Sequence, residues 1–246
     1  MKIITIANQK GGVGKSALSL HIAFYLHELG KKVVFIDLDP QGNSSSVLGK
    51  TDFQAVASAS SLFQDNFSLD MALPDAVLLK GDASLVNNLD IKLFVQNMNQ
   101  LIKSIDDETI CIVDTAPTAS ALQIAPLIVS DCVVSPIELE SFSIAGIASI
   151  LNTLNNIKEQ YNPRLNFLGI VPNRVKGVSH RQLTLLEQLR TSYSQYLLDP
   201  EFKINERQAI PEALDQGIPV WRLGKTSARE VGKEMKAVVS KIYQSI

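Results

Sequence analysis

The chain has 246 residues, 46% of them hydrophobic, and 23 Lys and Arg against 25 Asp and Glu give a formal net charge of -2. That is enough apolar content for a sizeable buried core, and one domain over residues 1–246 is expected. No stretch approaches the roughly 18 consecutive apolar residues of a membrane span, and no signal peptide is expected ahead of the first strand, so the reading is a cytoplasmic protein with no membrane partner.

In chain order, short apolar, β-branched runs alternate with longer amphipathic stretches. The runs are Ile3–Ala7, Val33–Asp37, Ala76–Leu79, Ile110–Asp114, Cys132–Pro136 and Leu165–Pro172. Most are apolar at successive positions, as strands covered on both faces require. Helical periodicity marks Lys15–Leu29, Ile91–Ile105, Ser120–Val129, Ile144–Tyr161, Ser179–Leu189 and Ser227–Ile242. This alternation predicts an α/β fold with a mostly parallel, twisted sheet and helices on both faces. Gly49–Ser68, rich in Ser, Ala and Gln, is expected to be variable helix or loop. Cys111 and Cys132 sit inside apolar runs without a C-x-x-C pairing, which reads as buried thiols.

Charge is unevenly spread. Residues 1–163 carry 10 Lys and Arg against 17 Asp and Glu, and residues 164–246 carry 13 against 8, so the two parts stand at -7 and +5. The basic third is a candidate docking face for a polyanion.

The first strand leads into Asn8-Gln9-Lys10-Gly11-Gly12-Val13-Gly14-Lys15-Ser16 and then a helix, the strand, loop and helix context of a phosphate-binding loop. Gly11, Gly12 and Gly14 let consecutive N–H groups turn toward phosphate oxygens, and the helix beginning near Lys15 adds its positive end. In such a loop Lys15 bridges the β- and γ-phosphates of ATP and Ser16 offers its hydroxyl to Mg²⁺. Val13 and Ala17 belong to the same nucleotide-contacting stretch.

Two further runs end in carboxylates. Asp37 and Asp39, two residues apart on an extended segment, share a side at the C-terminal edge of a strand, where ligands of open parallel sheets gather. Ile110–Asp114 is a hydrophobic strand closing on an aspartate, the Walker B arrangement, with Asp114 holding Mg²⁺ through water.

The loop departs from G-x-x-x-x-G-K-[ST], because Gln9 stands at the first glycine position and Lys10 follows it. K-G-G-V-G-K-S resembles the deviant Walker A sequence of the ParA/MinD family of P-loop ATPases, and the resemblance runs from Lys2 to the final helix. It implies that Lys10 crosses a homodimer interface to the partner's nucleotide. It further implies that Asp39, in D-x-D-P-Q-G-N, orients the attacking water, while Asp37 supports the Mg²⁺ shell. The Asp114-Thr115-Ala116-Pro117 stretch resembles the family's D-x-x-P switch, and no glutamate follows Asp114 directly, so slow hydrolysis is expected. By the same resemblance Asn173, Arg174 and Pro211 contact the nucleoside, and the segment from Ser135 to Ser143 lies at the dimer face.

The stretch Asn205–Ala213 followed by Gln216–Val220 is similar to small plasmid- and chromosome-partition ATPases lacking an N-terminal helix-turn-helix. That branch implies non-specific DNA binding by ATP dimers on the nucleoid. Lys176, Arg181, Arg190, Lys203, Arg207, Arg222, Lys225 and Arg229 are the candidate contacts, and a ParB-like centromere-binding protein or another cargo adaptor is the expected partner. The alternative is a relative that positions protein cargo such as chemoreceptor arrays or metabolic compartments. Val231, Met235, Val238 and Ile242 read as a core-packing stripe and not as the membrane-binding helix of the MinD branch.

Overall fold

Alternating side chains along buried strands must face two different cores, and the chain builds both. The structure is a computed structural model, described here for residues 1–69, 73–87, 89–117, 121–139 and 144–246. Its elements in order are β1 (Lys2–Ile6), α1 (Lys15–Glu28), β2 (Val33–Asp37), α2 (Asn43–Leu48), β3 (Gln54–Ser58), β4 (Ala76–Lys80), α3 (Ile91–Ser104), β5 (Ile110–Asp114), α4 (Ala121–Val129), β6 (Cys132–Glu138), α5 (Ile144–Gln160), β7 (Asn166–Asn173), α6 (His180–Ser192), α7 (Ala209–Asp215) and α8 (Thr226–Gln244).

The strands form one sheet in the order β3-β4-β2-β5-β1-β6-β7, and each described pairing is parallel. Ile4, Val33, Phe35, Ile110 and Ile112 face one core, against Leu18 and Ile22 of α1 and the stripe Val231, Met235, Val238 and Ile242 of α8. Their neighbours Ile3, Val34, Ile36, Cys111 and Val113 face the other, against Phe94, Met98 and Leu101 of α3 and Leu122 and Ala125 of α4. Helices therefore cover both faces, as the apolar runs of β2 and β5 predict. The stripe on α8 is core, and among the described residues no helix is long and apolar enough to cross a membrane. Cys111 and Cys132 are free and buried, and burial pushes both thiols up from their ordinary pKa.

One stretch differs from expectation. The Gly49–Ser68 stretch contains a strand, β3, that pairs with β4 at the sheet edge with most of its residues exposed. An exposed edge strand has no apolar alternation to read, which is why composition pointed to helix or loop. Pro211 stands in the first turn of the short helix α7, where its missing N–H breaks no helical bond. Ser120, the expected start of α4, lies outside the described residues, as do residues 140–143 of the stretch expected at a dimer face.

Candidate functional site

Because the strands run parallel, the loops after β1, β2, β5, β6 and β7 emerge at one edge of the sheet. β1 lies between β5 and β6, where the connections diverge to either side, and this is where ligands bind in open α/β sheets. The loop after β1 is anchored from below by Asn8. Its buried amide donates to the carbonyl of Pro136 at 2.9 Å and to Ser135 Oγ at 3.3 Å, while its carbonyl accepts the N–H of Lys10 at 2.9 Å.

The two lysines of the loop take opposite positions. Lys15 is 6% exposed, and its Nζ donates to the carbonyl of Lys10 at 2.9 Å. Burial lowers its pKa, and the charges of Asp114 and Asp39 work against that. Lys10 is exposed at the rim, as are Gly11 and Gly12. Val13 is buried, and Gly14 caps α1 in a left-handed conformation at φ 92. A Cβ at Gly14 would fall 2.0 Å from Asn173 Nδ2, so only glycine fits where the loop meets β7.

Asp37 and Asp114 are register partners on β2 and β5, both fully buried. Asp114 Oδ2 accepts from Ser44 Oγ at 2.7 Å and Oδ1 from Ser19 Oγ at 3.2 Å, and the nearby Ser16 hydroxyl also favours the charged carboxylate. Burial, reinforced by the charge of Asp37, raises Asp114 to about 7 against these hydroxyl contacts. Asp37 is likewise raised, first by burial, with Ser45 holding it down. Asp39, half-buried, accepts the N–H of Gln41 at 3.0 Å. Ser44 and Ser45 escaped the motif reading. Their signal was a run of three hydroxyls, Ser44 to Ser46, directly after Asn43 at the start of α2.

The nucleoside candidates converge as well. A cavity of about 530 Å³ opens beside the loop and is lined by Gly14, Ala17, Asn173, Arg174, Pro211 and Met235, among others. Asn173 Nδ2 donates to the Val13 carbonyl at 2.8 Å. Arg174 takes a left-handed φ of 53 and reaches the Gly12 carbonyl at 3.1 Å, Glu206 at 2.8 Å and Glu138 at 3.4 Å. Glu206, Gln208, Ile210 and Leu214 also line this cavity and were not anticipated, since nothing local distinguishes them.

The basic candidates scatter. Arg207 lines the cavity rim, Lys176 faces Glu206 at 3.9 Å, and Lys203 is half-buried. Arg190 pairs with Glu187 at 3.0 Å, Arg222 with Glu28 at 2.5 Å and Lys225 with Glu212 at 2.8 Å. Arg181 and Arg229 are exposed, and Lys233 and Lys236 are exposed on the same helix as Arg229, a grouping that their helical spacing in α8 would have revealed.

The sequence profile of a family described as an AAA domain matches residues 1–167. Protein IncC of Escherichia coli is 35% identical over 259 residues, covering 99% of this chain and 69% of that protein. The chromosome-partitioning ATPase Soj of Thermus thermophilus is 32% identical over 205 residues, covering 78% of this chain and 77% of that protein. Among solved structures, the ATP complex of a Cyanothece McdA variant superposes with a TM-score of 0.79 at 22% identity, covering 99% of this chain and 96% of that one. With the phosphate-binding loop and its carboxylates assembled on a parallel sheet, the chain belongs to the ParA/MinD family of partition ATPases.

Proposed function

We propose that this protein is a DNA-segregation ATPase that pairs with a second copy across Mg·ATP, binds DNA without sequence preference, and hydrolyses ATP slowly until a ParB-like adaptor stimulates it. The observation that carries this reading is the division of labour in one loop: Lys15 is buried among the loop's own atoms, whereas Lys10 is exposed at the rim. An inward lysine serves the phosphates of its own site. An outward one is placed to reach those of a partner, and such a charge-assisted contact makes closure depend on the triphosphate.

The residues present fit both groups. Gly14 leaves no room for a side chain beside Asn173, as a tight phosphate cradle requires, and the adjoining cavity has the size of a small-ligand pocket. Ser16 and Asp114 form a hard oxygen donor set, with Asp37 behind them. Among the described residues no group of three or more His, Cys, Asp or Glu side chains could hold a metal alone. That suits Mg²⁺, which commonly takes one or two protein ligands and completes its shell with water and phosphate oxygens. When bound, Mg²⁺ neutralises charge on the β- and γ-phosphates.

In this reading Lys15 and the N–H groups of Gly11 to Ser16 hold the triphosphate. Asn173, Arg174, Ala17 and Pro211 position the nucleoside in the cavity, and Asp39 orients the attacking water. Basic side chains of the C-terminal third meet DNA phosphates, with Arg229, Lys233 and Lys236 on one helix joining the candidates, and the protein works on the nucleoid in the cytoplasm. The likeness to IncC and Soj supports the partition role.

Retention on non-specific DNA, measured with ATP, with ADP and for Lys15→Ala across a salt series, tests the proposal. Retention confined to wild type with ATP and falling steeply with salt is expected. Equal retention in all three would sink it, and ATP-dependent dimerisation without DNA retention would favour a protein-cargo positioning role instead.

A further inference from the structure

Asp37 stands at the C-terminal end of β2, and the segment that leaves it folds back onto the same carboxylate. Oδ1 accepts the N–H of Asp39 at 3.1 Å. Oδ2 accepts both the N–H of Ser45 at 2.8 Å and the Ser45 hydroxyl at 2.6 Å. A carboxylate offers about four acceptor positions, so its own loop occupies most of them. The Ser45 oxygen in turn accepts the N–H of Gly81, just past β4, at 2.9 Å. Residues 37–45 are thus a loop tied at both ends to one buried carboxylate and pinned to the neighbouring strand by one hydroxyl.

Asp39 lies inside that tied loop. Its backbone is held from both sides, because its N–H goes to Asp37 and its carbonyl accepts the N–H of Gly42 at 2.9 Å. The adjacent Ser44 turns the other way and donates to Asp114 at 2.7 Å. Two consecutive serines therefore serve two carboxylates that are neighbours across the sheet, one on the metal side of the site and one beneath the Asp39 loop.

We infer that Ser45, acting through Asp37, is a positioning residue for hydrolysis: it fixes the loop that presents the Asp39 carboxylate to the attacking water. The inference rests on the reading of Asp39 given above. Ser45 itself is buried, so it acts on the reaction through the groups it holds, Asp37 and the loop that carries Asp39. Alignment of a reacting group is sensitive to displacements well below those that unfold a protein, and an ångström of misplacement can cost about 100-fold in rate.

The test compares Ser45→Ala, Ser45→Thr and Asp39→Ala in single-turnover hydrolysis of Mg·ATP with protein in saturating excess, in equilibrium binding of a fluorescent ATP analogue, and in thermal unfolding without nucleotide. Ser45→Ala is expected to slow hydrolysis by about 10-fold or more while analogue affinity stays within about twofold, and Ser45→Thr, which keeps the hydroxyl, is expected to restore the rate. If Ser45→Ala does not fold, Ser45→Cys takes its place, with similar volume and a weaker donor. A wild-type rate in Ser45→Ala, or rate and affinity falling together without rescue by Ser45→Thr, overturns the inference. Normal hydrolysis by Asp39→Ala would instead overturn the reading of Asp39, whereas loss there with an unaffected Ser45→Ala would leave that reading standing and defeat only the positioning role.

Discussion

The ammonium of Lys15 donates to the backbone carbonyl of Lys10 across 2.9 Å, so the two lysines of the loop are joined through the main chain of one and the side chain of the other. Replacing Lys15 with Met keeps the stem and removes the charge. Affinity for ATP is expected to fall at least ~30-fold, about 2 kcal/mol, because a charge-assisted phosphate contact is lost. Folding stability should change by less than about 1 kcal/mol, since losing one hydrogen bond is offset by no longer burying an ammonium. Calorimetric titration with ATP and urea unfolding check both, and affinity within threefold of wild type would refute the role.

Gly14 and Gly12 both hold left-handed φ values, 92 and 76, yet their surroundings differ. A Cβ at Gly12 has nothing within 4 Å, whereas one at Gly14 strikes the Asn173 amide at 2.0 Å. Gly12→Ala should therefore cost only backbone strain, about 1 kcal/mol, and Gly14→Ala that strain plus the displacement of Asn173, about 2–4 kcal/mol. Thermal unfolding of the two variants side by side gives the ordering, and equal losses would show that Asn173 yields freely.

Asp114, raised to about 7 from an ordinary carboxylate value of 3.8, keeps its proton in the folded chain over a range where the unfolded chain has lost it. Its contribution is thus fully present below about 3.8 and is lost as pH rises toward 7. Asp114→Asn, neutral at every pH, should make the nucleotide-free protein more stable than wild type at pH 8 by roughly 1–3 kcal/mol, with the gap closing near pH 4, while Mg²⁺-dependent ATP binding weakens. Urea unfolding at the two pH values measures the gap. A pH-independent difference would contradict the raised value.

His21 shows the opposite sign. It is fully buried, its Nδ1 lies 2.6 Å from the Ala17 carbonyl, and its Nε2 lies 3.1 Å from the N–H of Val220 and must accept from it. The ring is held neutral, with burial lowering it from 6.5 to about 4. A depressed histidine favours folding above its unfolded value and loses that contribution as pH falls from about 6.5 toward 4. His21→Leu leaves the Val220 N–H unpaired and should cost about 1–3 kcal/mol at pH 7.5, but that deficit should shrink by ~2 kcal/mol at pH 5, where wild type carries the cost of a neutral buried imidazole. An unchanged deficit between the two pH values would argue that His21 is protonated in place.

The reading of the sequence succeeded where one local segment carries its own constraint. Val33–Asp37 and Ile110–Asp114 were legible to the residue because strands buried on both faces must be apolar along their length, and each run closes on a polar aspartate. It failed at β3, whose exposed edge position leaves no pattern, and at Ser44 and Ser45, whose partners lie on β2 and β5.

By itself the sequence determined the phosphate loop, its flanking strand and helix, and the identity of the aspartates, because a glycine-rich turn between β1 and α1 is specified by residues adjacent along the chain. Only the tertiary structure decided which groups those residues meet. Asn173 reaches Val13 over 160 positions and Val220 reaches His21 over 199, contacts that exist only because parallel strands carry distant loops to one edge and helices close over the sheet. The inward turn of Lys15 and the exposure of Lys10 belong to this second kind, since burial is a property of what packs around a side chain and the loop alone does not specify it.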